Sequence, residues 1–392
     1  MRQALSLAAR GLFTTDPNPR VGCVIVKGQS VVGKGWHERA GCAHAEVHAL
    51  AEAGELAQQA TVYVTLEPCS HVGRTPPCTD ALIRAGVSRV VLALQDPNPL
   101  VNGKGVDRLR AAGIEVDVGL LSGEAIELNL GFLSRIKRKR PWMRMKLAAS
   151  IDGKTALQNR QSQWITAEAA RADGHRWRAR ASALLTGIGT VKDDDPLMNV
   201  RYVDTSRQPS KVLVDSRLDI SPAARMLADP GVSIVTALDE NAAKPSHWQQ
   251  LIDAGHRIVS LPNAQGNVDL AAMMQWLAQD GVNELHIEAG YKLNGSLLRE
   301  QCVDELLIYL APRLLGPGME MFDLPALERI PDQTAWEFLE AERLGPDLRL
   351  RMRKSASLQM ISQISECSNK GCQDVYRDRS GCWPYRVNQP TC

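Results

Sequence analysis

The chain has 392 residues, 44% of them hydrophobic and 23% charged, which suits a globular protein of two or three domains. Forty-six Lys plus Arg against 44 Asp plus Glu give no net field to draw the whole chain to nucleic acid or an anionic membrane. No apolar run reaches the length of about 18 residues expected of a transmembrane span.

The opening "MRQALSLAARGLF" is a poor secretory signal, because Arg10 interrupts it and no cleavage site follows. Nine Cys spread over this length favour reduced thiols or metal ligands over a disulfide framework, so the expected compartment is the cytoplasm. Next, "VGCVIVKGQSVVGKGWH" reads as a hairpin. "HAEVHALAEAG", from His44, turns from a loop into a helix, and "ATVYVTLEP" reads as a buried strand. "TLEPCSHVGRTPPCTDALIRAG" again ends in a helix, and "SRVVLALQDP" reads as a second buried strand. "SRIKRKRP", at residues 134–141, breaks the pattern and is expected to be a solvated linker.

After it the rhythm restarts. "WMRMKLAASIDG", "ALLTGIGTV", "KVLVDS", "VSIVTA", "RIVSLP", "ELHIEAG" and "DELLIYLAPRLLG" are strand candidates. "AEAARADGHRWRAR" and "DLAAMMQWLAQDG" are among the helical stretches between them. This alternation predicts a second α/β domain with a largely parallel sheet. The segment from Ser355 is polar and carries Cys367, Cys372, Cys382 and Cys392 without zinc-ribbon spacing. It is expected to be a poorly ordered extension. The implied division is 1–139, 140–354 and 355–392.

The chemistry concentrates in the first part. His44, Cys69 and Cys78 form a His/Cys/Cys set of the kind that binds zinc and leaves one position for water. Pro76 and Pro77 suit the start of a helix at Cys78, so two helix starts would aim their positive ends at one site. Two thiolates offset the charge of the metal, so a nearby carboxylate should help take a proton from its water. Glu46 is the candidate, with Glu67 and His71 as rivals. Alone, Glu46 would read as an ordinary first-turn acid; the downstream Cys pair favours catalysis. His48 and Cys42 are alternative ligands, and Cys23 reads as a buried apolar residue.

This set resembles the zinc deaminase signature, His-x-Glu followed by Pro-Cys-x-x-Cys, except that eight residues separate Cys69 from Cys78. The longer "PCSHVGRTPPC" resembles the bifunctional riboflavin-biosynthesis deaminase/reductase family. The resemblance continues through "DPNPRVGCVIV", "GWHERAGCAHAE", "LQDPNPLVNGKG", "KLAASIDGKTA", "SQWIT", "TVKDDDP", "VLVDS" and "IEAGYKLNGSLL", over roughly residues 1–354.

The resemblance implies an N-terminal cytidine-deaminase-like three-layer α/β domain and a C-terminal dihydrofolate-reductase-like domain. It implies zinc-dependent deamination of 2,5-diamino-6-ribosylamino-4(3H)-pyrimidinone 5′-phosphate, then NADPH reduction of the ribosyl group to ribityl. It places Asn18, His37, Arg74 and Asn98 around the first substrate. Cofactor contacts fall on Ala148, Trp164, Thr190, Asp194, Ser216 and on Gly290, Tyr291, Lys292, Leu293, Asn294, Gly295 and Ser296. The second substrate would meet Lys146, Ser162, Arg178, Met198, Arg201 and Glu288. Lys146 and Asp194 are the candidates for proton transfer there, against the alternative of a structural salt bridge. Ala289 stands where relatives often have Gly.

Two rival readings are a nucleic-acid-editing deaminase and a closed structural zinc module. The first should show an aromatic-rich basic surface, yet aromatic residues are only 5%. The expected partner is a small pyrimidine nucleotide, with neither nucleic acid nor membrane, and a homo-oligomer is compatible with the sequence.

Overall fold

The computed structural model describes residues 1–70, 76–99, 101–239, 244–329 and 336–369, with side chains described as far as residue 364. In the first domain the order is α1 (Arg2–Arg10), β1 (Gly22–Lys27), β2 (Ser30–Trp36), α2 (Ala45–Ala53), β3 (Thr61–Val64), α3 (Cys78–Arg84), β4 (Arg89–Leu92), α4 (Lys104–Ala111), β5 (Glu115–Val118) and α5 (Ser122–Arg138). The sheet order is β2-β1-β3-β4-β5. The expected hairpin β1–β2 is antiparallel, whereas β3, β4 and β5 run parallel.

Helix α2 lies unusually close to β2, and the sequence explains why. Ala45, Ala49 and Ala53 recur every four residues and are buried, so one side of α2 is a stripe of methyl groups. They face Gly33 and Gly35, where an added Cβ would come within 2.2 Å of the Ala49 and Ala45 carbonyl oxygens. This close approach fixes the start of α2, where His44 and Glu46 sit.

The second domain contains β6 (Trp142–Ser150), β7 (Lys154–Leu157), α6 (Glu168–Arg180), β8 (Ala183–Gly187), α7 (Ile188–Asp194), β9 (Ser210–Val214), β10 (Ser233–Thr236), α8 (Trp248–Asp253), β11 (Arg257–Ser260), α9 (Leu270–Gln279), β12 (Glu284–Ile287), α10 (Tyr291–Arg299), β13 (Glu305–Ala311), β14 (Gly318–Glu320), β15 (Trp336–Leu344), β16 (Asp347–Lys354) and α11 (Ser355–Asn369). Its main sheet has the order β11-β10-β9-β8-β12-β6-β13-β16-β15. The strands from β11 to β13 are parallel, and β16 and β15 are antiparallel additions.

Period-two alternation gives the central strands two different buried faces. Met143, Met145 and Leu147 of β6, with Leu285 and Ile287 of β12, join the apolar core under α9. The opposite face carries Arg144 and Glu284, which form a buried ion pair at 2.9 Å.

Three local expectations are corrected. The basic run at 134–141 is no linker: α5 continues through Arg138, and Arg138 and Arg140 pair with buried Asp304 at 2.6 and 2.9 Å. "ALLTGIGTV" is strand only to Gly187, after which α7 begins. The segment after Lys354 is helical to Asn369. Its Ile364 is buried with Leu130 and Leu133 of α5. Residues 370–392, with three of the four C-terminal Cys, lie outside the described residues.

Candidate active sites

The first site sits at the C-terminal ends of β3 and β4 and the start of α2. His44 is the residue immediately before α2, in an extended conformation, and Glu46 lies in the first turn, 3% exposed. Cys78 opens α3 behind Pro77. His44 Nδ1 is 3.2 Å from Cys78 Sγ and 3.6 Å from Cys69 Sγ. All three ligand atoms lie within 4.8 Å of one another. Zinc bonds of about 2.0–2.3 Å make the edge of a tetrahedron about 3.5 Å, so the donor set fits that ion. His48 and Cys42 are not part of this cluster. Cys23 is buried in the core, as expected. His71 and Arg74 lie outside the described residues.

The start of α3 serves the neighbouring ligand. The Cys78 backbone N–H donates to Cys69 Sγ at 3.3 Å. The neighbouring Cys78, with His44 and that amide, draws the Cys69 thiol down to about 4 against the cost of burial. Cys78 is pushed up by the same contact and by burial. His44 is raised, chiefly by its contact with Cys69. Burial raises the Glu46 carboxyl above its ordinary value, with His44 opposing. A carboxyl so raised both accepts and returns a proton more readily near neutral pH.

His37 and Asn18 meet beside this cluster. Asn18 Nδ2 lies 3.1 Å from His37 Nε2, and His37 Nδ1 lies 3.1 Å from the Ala43 carbonyl oxygen. The pattern assigns the proton to Nδ1 and leaves Nε2 accepting from the amide. Burial lowers the His37 pKa, so the ring is neutral. The His37 and His44 rings stand edge to face at 5.5 Å. Glu67 does not compete as a proton carrier: its two carboxylate oxygens accept from the backbone amides of Asp96, Gly103, Gly105 and Val106. Asp96, which sequence reasoning missed, is raised to about 6 by burial, with Glu67 and Cys69 adding to the effect and the Asn98 amide opposing it.

The second site lies at the C-terminal ends of β6, β8, β9 and β12, the side on which parallel sheets bind ligands. Glu288 follows β12 and collects three groups. Arg178 grips it through Nε and Nη2, Lys146 Nζ lies at 3.4 Å, and His286 Nε2 lies at 3.4 Å. Burial would push Glu288 up, but Arg178 and Lys146 outweigh it and hold the carboxyl well below the usual range. Lys146 and Asp194 do not pair with each other: Asp194, at the end of α7, accepts from the Ser162 hydroxyl at 3.0 Å. Arg178 Nη1 donates to the Asn199 carbonyl at 2.9 Å, between Met198 and Arg201. The Arg201 amide donates to His175 at 3.1 Å.

Two helix starts converge nearby. A Cβ on Gly290, which precedes α10, would lie 3.6 Å from Thr190 Oγ1 on α7. Ser216 follows β9, Ala148 lies on β6, and Trp164 is 60% exposed with the Arg171 guanidinium 4.6 Å above its ring. The first amides of the nine-residue α10 suit a diphosphate. Asn294 ties α10 to the Ala289 carbonyl at 3.0 Å, while its buried Oδ1 has no protein partner. These features fit a nicotinamide nucleotide. Sequence reasoning missed His286 and His175; the alternating polar residues of "ELHIE" were the available signal for His286.

Both parts of the chain match known protein families. Residues 1–94 match the family model described as the cytidine and deoxycytidylate deaminase zinc-binding region, and residues 141–350 match the RibD C-terminal domain. The riboflavin biosynthesis protein RibD of Escherichia coli (strain K12) is 45% identical over 365 residues, 90% of this chain and 98% of that protein. The chain belongs to the RibD family. Its relative from Bacillus amyloliquefaciens is 40% identical over 97% of this chain and 99% of its own. Among solved structures, Acinetobacter baumannii RibD (form 1) superposes with a TM-score of 0.83 at 42% identity, covering 90% of this chain and 97% of that one. A Thermotoga maritima diaminohydroxyphosphoribosylaminopyrimidine deaminase/5-amino-6-(5-phosphoribosylamino)uracil reductase gives 0.80 at 31%, with the same coverages. The protein is therefore a bifunctional RibD enzyme of riboflavin biosynthesis, with a zinc-binding deaminase domain and an NADPH-dependent reductase domain.

Proposed function

We propose that the first domain deaminates 2,5-diamino-6-ribosylamino-4(3H)-pyrimidinone 5′-phosphate and that the second reduces the ribosyl group of the product to ribityl. The convergence of His44, Cys69 and Cys78 beside buried Glu46 is the observation that carries this reading. Zinc, when bound by these three residues, supplies an acidified water as nucleophile. Glu46, buried beside these ligands, would hold a proton on its carboxylate and return it to the amino group that leaves as ammonia. Asn18 and His37 orient the pyrimidine ring, and Asn98 reads its edge. Arg74, whose position lies outside the described residues, is assigned to the phosphate by its place in the motif.

In the second domain NADPH, when bound, supplies hydride. Gly290 to Ser296, Thr190 and Ser216 hold the nucleotide, with Ala148 and Trp164 lining its site. Glu288, Arg178, Ser162, Met198 and Arg201 position the ribosylamine. Lys146 gives a proton to the sugar-ring oxygen as the ring opens, and Asp194 fixes Ser162 and contributes to proton transfer. The substrates are free small nucleotides, so we assign the protein to the cytoplasm. Among the described residues, no helix is long and apolar enough to cross a membrane.

The deciding test is product analysis of the zinc-loaded chain. With the pyrimidinone phosphate alone, ammonia should appear and one ring amino group should become a carbonyl oxygen. Adding NADPH should add two hydrogens to the sugar. No ammonia without NADPH would overturn the order of steps.

A further inference from the structure

Glu67 is 4% exposed and lies two residues before Cys69. Its own amide donates to the Leu94 carbonyl at 2.9 Å. Its Oε2 accepts from the amides of Asp96 at 3.1 Å and Gly103 at 3.0 Å. Its Oε1 accepts from Gly105 at 2.9 Å and Val106 at 3.2 Å, both in the first turn of α4. One carboxylate thus gathers four backbone donors, two from the segment linking β4 to α4 and two from the first turn of α4. The approach is close: a Cβ on Gly105 would lie 2.3 Å from the Pro68 carbonyl oxygen and 3.0 Å from Glu67 Oε1. The same segment carries Asp96, whose Oδ1 accepts from the Asn98 amide at 2.8 Å. A continuous set of contacts therefore runs from the backbone beside Cys69, through Glu67 and Asp96, to Asn98.

We propose that Glu67 is a positioning residue for the deaminase: it fixes the segment after β4 against the Pro68–Cys69 backbone so that Asn98 meets the pyrimidine. This rests on reading the first site as the deaminase and on the substrate role given to Asn98. All four acceptor directions of Glu67 are occupied, so it neither carries a proton nor binds substrate. Its contribution is to hold a binding amide, and it should appear in KM, since ring recognition serves ground state and transition state alike.

The test uses the full-length, zinc-loaded chain. Glu67→Gln keeps the side chain's size but turns one acceptor into a donor facing two N–H groups. KM for deamination should rise by about ten- to a hundredfold, with kcat changed by less than about threefold. Zinc content and NADPH oxidation of the deaminated substrate should stay as in the parent. In an Asn98→Ala background, Glu67→Gln should add less than about twofold to KM, because the residue it positions is gone. Gly105→Ala is the second variant, retaining Glu67 while forcing the segment away, and should give the same rise in KM. Multiplicative effects of Glu67→Gln and Asn98→Ala, or a loss confined to kcat, would overturn the proposal. An unaltered chain that releases no ammonia would instead sink the deaminase reading itself.

Discussion

Arg20, two residues beyond Asn18, and Glu284 of β12 form an ion pair between the two domains: Nη1 lies 2.7 Å from Oε1, with the side chains 7% and 1% exposed. Arg144 and Arg180 also reach Glu284, at 2.9 and 2.8 Å. Arg144 continues to Glu305, which Arg351 and Arg353 share. Burying charge is costly unless each group is paired. Arg20 comes from the first domain and the other named groups from the second, so the Arg20–Glu284 pair ties the two together. Arg20→Met should cost about 1–3 kcal/mol, less than a fully orphaned buried charge because two arginines remain on Glu284. Calorimetry should record a fall in Tm of several degrees; an unchanged Tm would mean that those two suffice.

The same network sets the acid limit of stability. For Glu284, Glu305 and Asp304, burial pushes the carboxyl up but neighbouring arginines outweigh it, and each pKa lies below its ordinary value. A depressed folded pKa gives stability that is present above the unfolded value of about 4 and lost as pH falls through the folded one. Tm should therefore drop below about pH 4, with a shallower slope in Glu284→Gln. Equal slopes in parent and variant would remove Glu284 from the account.

The convergence of His44, Cys69 and Cys78 was legible because these residues are chemically distinctive and lie close in sequence. The parallel sheet was legible because its strands are runs of Val, Ile and Leu. The charge network was not, since Arg20 and Glu284 are 264 residues apart and a charged residue on a strand reads as solvent-facing. Helix α7 was hidden by Gly187 and Gly189, which resemble a loop. Helix α11 was hidden by its Ser and Gln content, although Met360, Ile361 and Ile364 have helical spacing.

Helix α11 makes truncation informative. Ser357 donates to Asp304 at 2.8 Å, and Ile364 packs with Met360 and Ile361 into the cluster beside α5. A chain ending at Asn369 should match the parent. One ending at Lys354 should keep both reactions, whose motifs lie upstream, but lose about 2–4 kcal/mol of apolar burial. Thermal unfolding of the two truncations distinguishes them, and equal Tm values would make the packing of α11 irrelevant.

Cys69→Ser should release or loosen the zinc, because a hydroxyl is a far poorer ligand than a thiolate and the Cys78 amide loses its sulfur acceptor. Metal analysis of the purified chain, truncated after Asn369 to remove three distal thiols, should give well under one zinc per chain. A full complement would exclude Cys69 as a ligand.

Glu46→Gln separates the two reactions. The substitution preserves the size of a side chain that is 3% exposed at the first turn of α2, so the packing of α2 on β2 should survive. Zinc should stay bound, because His44, Cys69 and Cys78 supply the clustered ligand atoms. An amide cannot take a proton from water, so deamination should fall by about 10²–10⁴, the range for loss of a general acid–base group. The reductase site uses other elements, with Lys146 and Glu288 on and beside β6 and β12, and should oxidise NADPH at the parental rate when given the deaminated intermediate. Asp194→Asn should show the reverse, slowing NADPH oxidation while ammonia release continues. If Glu46→Gln stopped both steps in a folded, zinc-loaded chain, independent sites would be ruled out. If it stopped neither, His71 would become the leading proton carrier, since the Glu67 oxygens are already committed to four amides.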